Sequence, residues 1–291
     1  MTILVTAASG QLGRLVVDAL LARGAHAADI VAGARTPAKL DDLAARGVAV
    51  VELDYDRPGT ISAALDGVDR VLLISGSEPG TRLAGHLSVV AAAEAAGVAR
   101  LVYTSAPQVT TFDYVLAPDH RATEEAIVSS GIPYVILRNG WYTENFAHDL
   151  AVAAETGVIA SAVGGARVAS ASRADYAEAA AVVLLDDGHL GRTYELAGDV
   201  AWDHLDLAAA ASAVLGRDVA HLPLSREQLV ARLDGAGVTP ELAGYVLLLD
   251  DVIGTGVLGE TDGTLSRLIG RPTTPLEAGL RALATERAAS I

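Results

Sequence analysis

The chain is predicted to be an α/β protein built on a doubly wound parallel sheet, with a smaller, mostly helical C-terminal portion. Three observations predict it. Short β-branched runs alternate with longer Ala/Leu-rich amphipathic segments through the first half, as in successive β-α-β units. A glycine-containing turn joins the first such run to the first amphipathic segment, and the sequence from Trp202 onward reads mostly helical.

Taken in order, strands are expected near Thr2 to Thr6, Asp29 to Ala34, Val48 to Leu53, Arg70 to Ile74, Arg100 to Thr104 and Tyr134 to Leu137. Helices are expected between them, at Gln11 to Arg23, Pro37 to Arg46, Thr60 to Leu65, Thr81 to Ala96 and Pro118 to Ser130. Gly24, Gly47, Gly97 and Gly131 each stand where a helix end needs a left-handed residue. After Asn139 the alternation loosens into the glycine-rich stretch Gly157 to Ala166, followed by a helix from about Ala174 to Leu185 and a strand Thr193 to Ala197. The expected division is a dinucleotide-binding domain over 1–140 with returning segments at about 157–197. A smaller substrate-side portion follows over 198–291, also using about 141–156.

Composition narrows the function. The 291 residues carry 21 Lys+Arg against 36 Asp+Glu, a formal charge of −15. A nonspecific nucleic-acid binder is excluded, because such affinity comes from basic residues displacing counterions. With 51% hydrophobic residues but only 4% aromatic, the core must be built from Ala, Val, Leu and Ile. The absence of cysteine removes disulfides, thiolate metal sites, iron–sulfur clusters and a Cys nucleophile. No apolar run approaches the roughly 20 residues of a membrane span, so a cytoplasmic location is the expectation. The oligomeric state is not fixed by the sequence, although a homo-oligomer is compatible with it.

The turn Thr6-Ala7-Ala8-Ser9-Gly10-Gln11-Leu12-Gly13 follows a strand and opens a helix, the Rossmann-type context in which glycines carry meaning. Gly10 lets backbone approach a pyrophosphate, Gly13 lets helix and strand pack closely, and the helix N-terminus offers free N–H groups. Ala7 replaces the first glycine of the usual pattern, and its Cβ narrows the permitted turn geometry. The second strand ends in Ala34-Arg35-Thr36-Pro37-Ala38-Lys39, where an NAD site would carry an acidic residue. Arg35, with the chain's single lysine, Lys39, points to the 2′-phosphate of NADPH, NADH being the weaker cofactor.

TAASGQLG, ARTPAKL, LDYDRP, VLLISGSE, LVYTSA, LRNGWYTENF, ASRADYA, YELAGD and LSRLIGRPTTPL occur in order and at familiar spacing over essentially the whole chain. By these the protein resembles the NmrA-like atypical short-chain dehydrogenases, most closely the bacterial type 2 NAD(P)H:quinone oxidoreductase branch. The resemblance implies that Ala7, Ala8, Ser9, Gly10, Gln11 and Leu12 cradle the pyrophosphate and Arg35 takes the adenosine phosphate. It places Asp54 and Tyr55 at the adenine, and Ser75, Gly76 and Ser77 along the ribose and nicotinamide side. Asn139, Gly140, Trp141, Tyr142, Thr143 and Glu144 should run along the nicotinamide. Ser170, Ala171, Ser172, Arg173, Ala174 and Asp175 should close over the cofactor. The implied activity is NADPH-dependent reduction of a small-molecule quinone; the alternative, also known among NmrA-like proteins, is a non-enzymatic redox sensor acting through a protein partner.

Most short-chain dehydrogenases use a Tyr-x-x-x-Lys pair, and a chain whose one lysine is Lys39 has none. Hydride addition to a quinone yields a weakly basic hydroquinone anion rather than an alkoxide, so the missing pair favours a quinone acceptor. Asn139, Trp141, Tyr142 and His120 are the candidates for the acceptor site. His120 either meets a ribose hydroxyl or is a surface histidine at a helix start. Trp141, Tyr142, Asn145 and Phe146 form either a pocket for a flat acceptor or a core-anchoring cluster. His86, His148, His189, His204 and His221 lack metal-ligand spacing, and no metal is expected. Asp186-Asp187 and Asp250-Asp251 read as solvated helix ends.

Overall fold

The computed structural model describes residues 1–76 and 81–289. Its main element is a seven-stranded, all-parallel sheet in the order β3-β2-β1-β4-β5-β6-β8. The strands are β1 (Ile3–Val5), β2 (Ile30–Ala34), β3 (Ala49–Glu52), β4 (Arg70–Leu73), β5 (Arg100–Ser105), β6 (Tyr134–Asn139) and β8 (Arg192–Leu196). Helices α1 (Gln11–Ala22), α2 (Asp41–Ala45), α3 (Pro58–Ala64), α4 (Arg82–Ala96) and α5 (Ala117–Ser129) connect the first six, and α7 (Arg173–Leu185) precedes β8.

The expected fold class is met, and its reason is visible in the burial. Ile3, Leu4 and Val5 are all fully buried, as a parallel strand covered on both faces requires. Successive side chains of a strand point to opposite faces. Leu4, Val71, Leu73, Leu101 and Tyr103 lie on one face with Ile61, Val89 and Ile127 of α3, α4 and α5. Their neighbours Val5, Leu72 and Val102 therefore face the other side. Each fully buried aliphatic side chain contributes about 1.5–3 kcal/mol. Gly24, Gly47, Gly97 and Gly131 all take positive φ, as expected of helix stops.

The chain divides into two compact units. The first comprises Met1–Asn139, Arg173–Leu196 and Leu268–Gly270; the second comprises Gly140–Ser172, Ala197–Arg267 and Arg271–Ile291. The second unit contains α6 (Ala147–Thr156), β7 (Val158–Ser161), α8 (His204–Leu215), β9 (Ala220–Pro223), α9 (Arg226–Gly235) and α10 (Pro240–Gly254), then most of α11 (Thr264–Ile269) and α12 (Leu276–Ala289). Helices dominate it, but β7 and β9 form a two-stranded parallel sheet that the sequence reading did not anticipate. Among the described residues no helix is long and apolar enough to cross a membrane.

Candidate active site

In the first unit β1 lies between β2 and β4, so the winding of the sheet reverses between β1 and β4. Open α/β sheets bind ligands outside the carboxyl ends of the strands at such a point. The turn after β1 and the segment after β4 both emerge there.

After β1 the chain turns sharply at Ala7, which sits in the left-handed region with φ +48°. An L-residue there is strained by about 1–2 kcal/mol. The turn is held by Ala8 N–H donating to the Gly33 carbonyl and Gly10 N–H donating to the Ala7 carbonyl, both at 2.9 Å. A Cβ on Gly13 would lie 2.5 Å from the Ala7 oxygen and 2.7 Å from the Ala8 Cα, so helix and turn touch backbone to backbone. The N-terminus of α1 has no side-chain cap and no acidic residue in its first turn, and Gly10 and Gln11 are exposed. Such a terminus suits an anion, because its first N–H groups lack intrahelical partners and sit at the positive end of the helix dipole.

At the end of β2, Arg35 and Lys39 are exposed, and among the described residues neither side chain enters an ion pair. Arg14 of α1 anchors this segment by donating to Asp42 Oδ2 at 2.7 Å and to the Lys39 carbonyl. The side-chain hydrogen bond from Arg14 holds the Asp42 carboxyl below its ordinary range. Arg14 thus engages Asp42 and fixes the backbone that carries the basic pair. Asp54 Oδ1 accepts from the Asp56 N–H, a local turn. The Tyr55 hydroxyl donates to the Ile74 carbonyl at 2.8 Å and lies 2.5 Å from Thr6 Oγ1, and burial pushes its pKa up. With that hydroxyl engaged in the sheet, Tyr55 has only its ring to offer an adenine.

Ser75 and Gly76 follow β4, where side chains rather than strands hold the backbone. Ile74 N–H donates to Thr6 Oγ1 and Ser75 N–H to Thr104 Oγ1, both at 2.9 Å. Gly76 N–H donates to His86 Nε2 at 2.9 Å. Ser77 lies outside the described residues. His120 corrects one reading: it is no surface residue but 3% exposed, with Nδ1 2.7 Å from the Tyr103 hydroxyl. Burial, with Arg82 and His86 nearby, keeps it neutral by lowering its pKa well below the usual value. At the end of β5, Ser105 donates to Glu124, which pairs with Arg138 at 2.6 Å, and Arg138 pairs with Glu195 at 2.9 Å. Glu195 in turn accepts the N–H of Gln108, a second non-glycine residue at positive φ. Ser105 is thus committed to this network.

Asn139 ends β6, buried, in the first unit. The second unit brings together parts of two stretches that the resemblance places at the cofactor. Tyr142 and Ala171 form a parallel bridge, with Thr143 N–H donating to the Ala171 carbonyl and Ala171 N–H to the Trp141 carbonyl. Thr143 Oγ1 lies 2.9 Å from Ser170 Oγ, which also accepts the Trp202 indole N–H. Trp141 is buried and Tyr142, Glu144 and Asn145 are half-buried; Phe146 packs edge-on against Trp202 at 4.9 Å between ring centroids. Phe146 is therefore a core anchor. Ser172 is buried in this unit, whereas Arg173, Ala174 and the fully buried Asp175 open α7 in the first.

Asp250 also departs from expectation. It is a half-buried residue inside α10, and its carboxylate accepts the Ala162 N–H at 2.5 Å. Burial pushes its pKa up to about 6. Burial, with Asp250 adding to it, pushes Asp149 up to about 7. Sequence spacing gave no sign of this pair, nor of the His86, Tyr103 and His120 group, whose members come from three different elements.

Residues 7–187 match a family model described as NAD(P)H-binding. The chain belongs to this NAD(P)H-binding family. It is similar to quinone oxidoreductase 2 of Escherichia coli (strain K12), at 44% identity over 274 residues covering 94% of this chain and 96% of the relative. Among solved structures it is similar to the NADPH-dependent quinone oxidoreductase of E. coli complexed with NADPH, at 42% identity and a TM-score of 0.91, covering 97% of this chain and 100% of that one. It is also similar to triphenylmethane reductase of Citrobacter sp. complexed with NADP(H), at 37% identity and a TM-score of 0.91 with the same coverage.

Proposed function

We propose that the protein is an NADPH-dependent oxidoreductase that transfers hydride to a quinone, acting in the cytoplasm. The observation that carries the reading is the uncapped start of α1, packed so closely on the Ala7 turn that a Cβ at Gly13 would collide, beside two exposed cations at the end of β2 that enter no ion pair among the described residues. A pyrophosphate fits the first and a 2′-phosphate the second. The likeness to relatives named for quinone reduction with NADPH supports the same conclusion.

The residues divide the work. Ala7 to Leu12 receive the pyrophosphate through backbone N–H groups, and Arg35 and Lys39 meet the 2′-phosphate. Asp54 and the Tyr55 ring border the adenine, and Ser75 and Gly76 form a ledge for the ribose and nicotinamide half. Asn139 to Glu144 and Ser170 to Asp175 supply the remaining contacts. When bound, NADPH supplies hydride chemistry, and the chain's task is to exclude water and orient the acceptor. Effective molarities from such positioning are large. No Tyr-Lys acid is available, and the quinone product does not require one.

The test is loss of the NADPH absorbance band with a panel of benzoquinones and naphthoquinones. Steady, quinone-dependent loss is expected. Tight NADPH binding without turnover across the panel would contradict the enzymatic reading and favour a redox sensor.

A further inference from the structure

His86 lies in α4, ten residues beyond Gly76, and its imidazole is fully buried. Its Nε2 accepts the Gly76 N–H, so the proton of the neutral ring sits on Nδ1, which is 3.0 Å from Thr123 Oγ1. The Thr123 hydroxyl donates in turn to the Asp119 carbonyl at 2.7 Å. The Gly76 carbonyl accepts from Arg82 Nη1 at 3.1 Å, and Arg82 is paired with Asp119. Gly76 is thereby held through both its N–H and its carbonyl by side chains of one helix. A Cβ on Gly76 would lie 3.0 Å from Arg82 Cβ, so no slack remains between loop and helix.

The surroundings keep His86 an acceptor. It meets the rings of Tyr103 and Tyr55 edge-on, His120 lies behind Tyr103, and Arg82 and Asp119 are the nearest charges. Burial and Arg82 push its pKa down to about 4, so Nε2 is unprotonated at neutral pH. A histidine kept only for packing would have no reason to direct this nitrogen at a loop amide beyond the end of a strand.

We propose that His86 is a positioning residue for the cofactor: by accepting the Gly76 N–H it fixes the Ser75–Gly76 ledge in the conformation that receives the ribose and nicotinamide half of NADPH. The proposal rests on the nucleotide reading given above. It predicts that the acceptor atom at the Nε2 position matters, rather than the bulk of the ring.

The full chain is compared with His86→Gln, His86→Asn and His86→Leu. The glutamine amide oxygen reaches the Nε2 position, whereas the shorter asparagine reaches only that of Nδ1. The readouts are melting temperature, NADPH Kd by fluorescence titration, and KM and kcat with p-benzoquinone. Asn and Leu are expected to raise both Kd and KM for NADPH about tenfold or more, the scale of a lost buried hydrogen bond, with kcat at saturating NADPH nearly retained. Gln should recover most of the loss even if its melting temperature falls as far as that of Asn. Should Leu fail to fold, the Gln and Asn comparison carries the same test. Equal NADPH affinities for Gln and Asn, or a folded Leu variant that binds as the wild type does, would overturn the assignment and leave the nucleotide reading standing. A wild-type chain that binds no NADPH would overturn both.

Discussion

The two ends of the candidate nucleotide site are built on opposite principles. At the turn after β1 the groups on offer are backbone N–H donors, and the geometry is fixed by contacts that leave no room for a side chain, Gly13 against Ala7 and Ala8. At the end of β2 the groups on offer are exposed cations on long stems, and only the backbone beneath them is tied down, by Arg14. The first arrangement can recognise what NADH and NADPH share. The second can distinguish them, and its side chains can change without disturbing the core. On the proposed reading, shape-based recognition is linked to folding and charge-based recognition is not.

That contrast breaks most visibly at Gly13. Gly13→Ala forces a Cβ into the Ala7 carbonyl, and overpacking of this kind costs about 1–3 kcal/mol or more. The melting temperature should fall and affinity for NADPH and NADH should drop together, by similar factors. Calorimetry and titration with NADPH and NADH check it.

Arg35→Ala probes the other end. Losing a charge-assisted bond should weaken NADPH by about 1–3 kcal/mol, or roughly 5- to 150-fold, with NADH nearly unaffected. The melting temperature should not move. Equal losses for both cofactors would erase the distinction between the two ends.

Smaller effects are expected where the chemistry needs no proton donor. Tyr142→Phe and His120→Ala should each lower kcat by less than about tenfold in steady-state assays with one quinone, short of the loss of a true general acid. His120→Ala should in addition lower the melting temperature, because Tyr103 loses its buried partner.

A control lies in the second unit. Asp149, raised from 3.8 to about 7, keeps its proton in the folded state where the unfolded chain has released it. Stability therefore declines as pH rises from about 4 through about 7. Asp149→Asn removes the titration and should raise the melting temperature by a few degrees at pH 8, with little change at pH 4. Thermal melts across that range decide it.

Ala7→Gly should do least. Relief of the left-handed strain is offset by the greater freedom of glycine in the unfolded chain, leaving a net gain of up to about 1 kcal/mol. NADPH affinity should stay within a few-fold, measurable by the same titration.

The contrast also explains what the sequence disclosed. The first six strands are short runs rich in Val, Ile and Leu, and the helices between them are stopped by glycines at positive φ, a pattern local enough to read to within about two residues. The β7 and β9 pair was missed because Val158–Ser161 meets Ala220–Pro223 across some sixty residues, and neither run alternates strongly. Helix α6 was missed because it grows out of a short 3-10 turn at Thr143–Phe146 without a cap. At the candidate site, the close packing at Gly13 and the exposed charge of Arg35 were legible because each is carried by the residue itself. The roles of Thr6, Thr104, Tyr55 and His86 were not, because each holds a backbone group that only the folded sheet brings within reach.

The most direct test of the divided site is the ratio of NADH to NADPH dissociation constants, measured on the unaltered protein as salt is raised from low concentration to about 0.5 M. Exposed cations are screened over about 10 Å at 0.1 M salt and over less at higher concentration, while backbone contacts shared by both cofactors cancel in the ratio. The account predicts a clear NADPH preference at low salt that shrinks steadily as salt rises. NADH bound as tightly as NADPH at low salt, or a preference indifferent to salt, would contradict it.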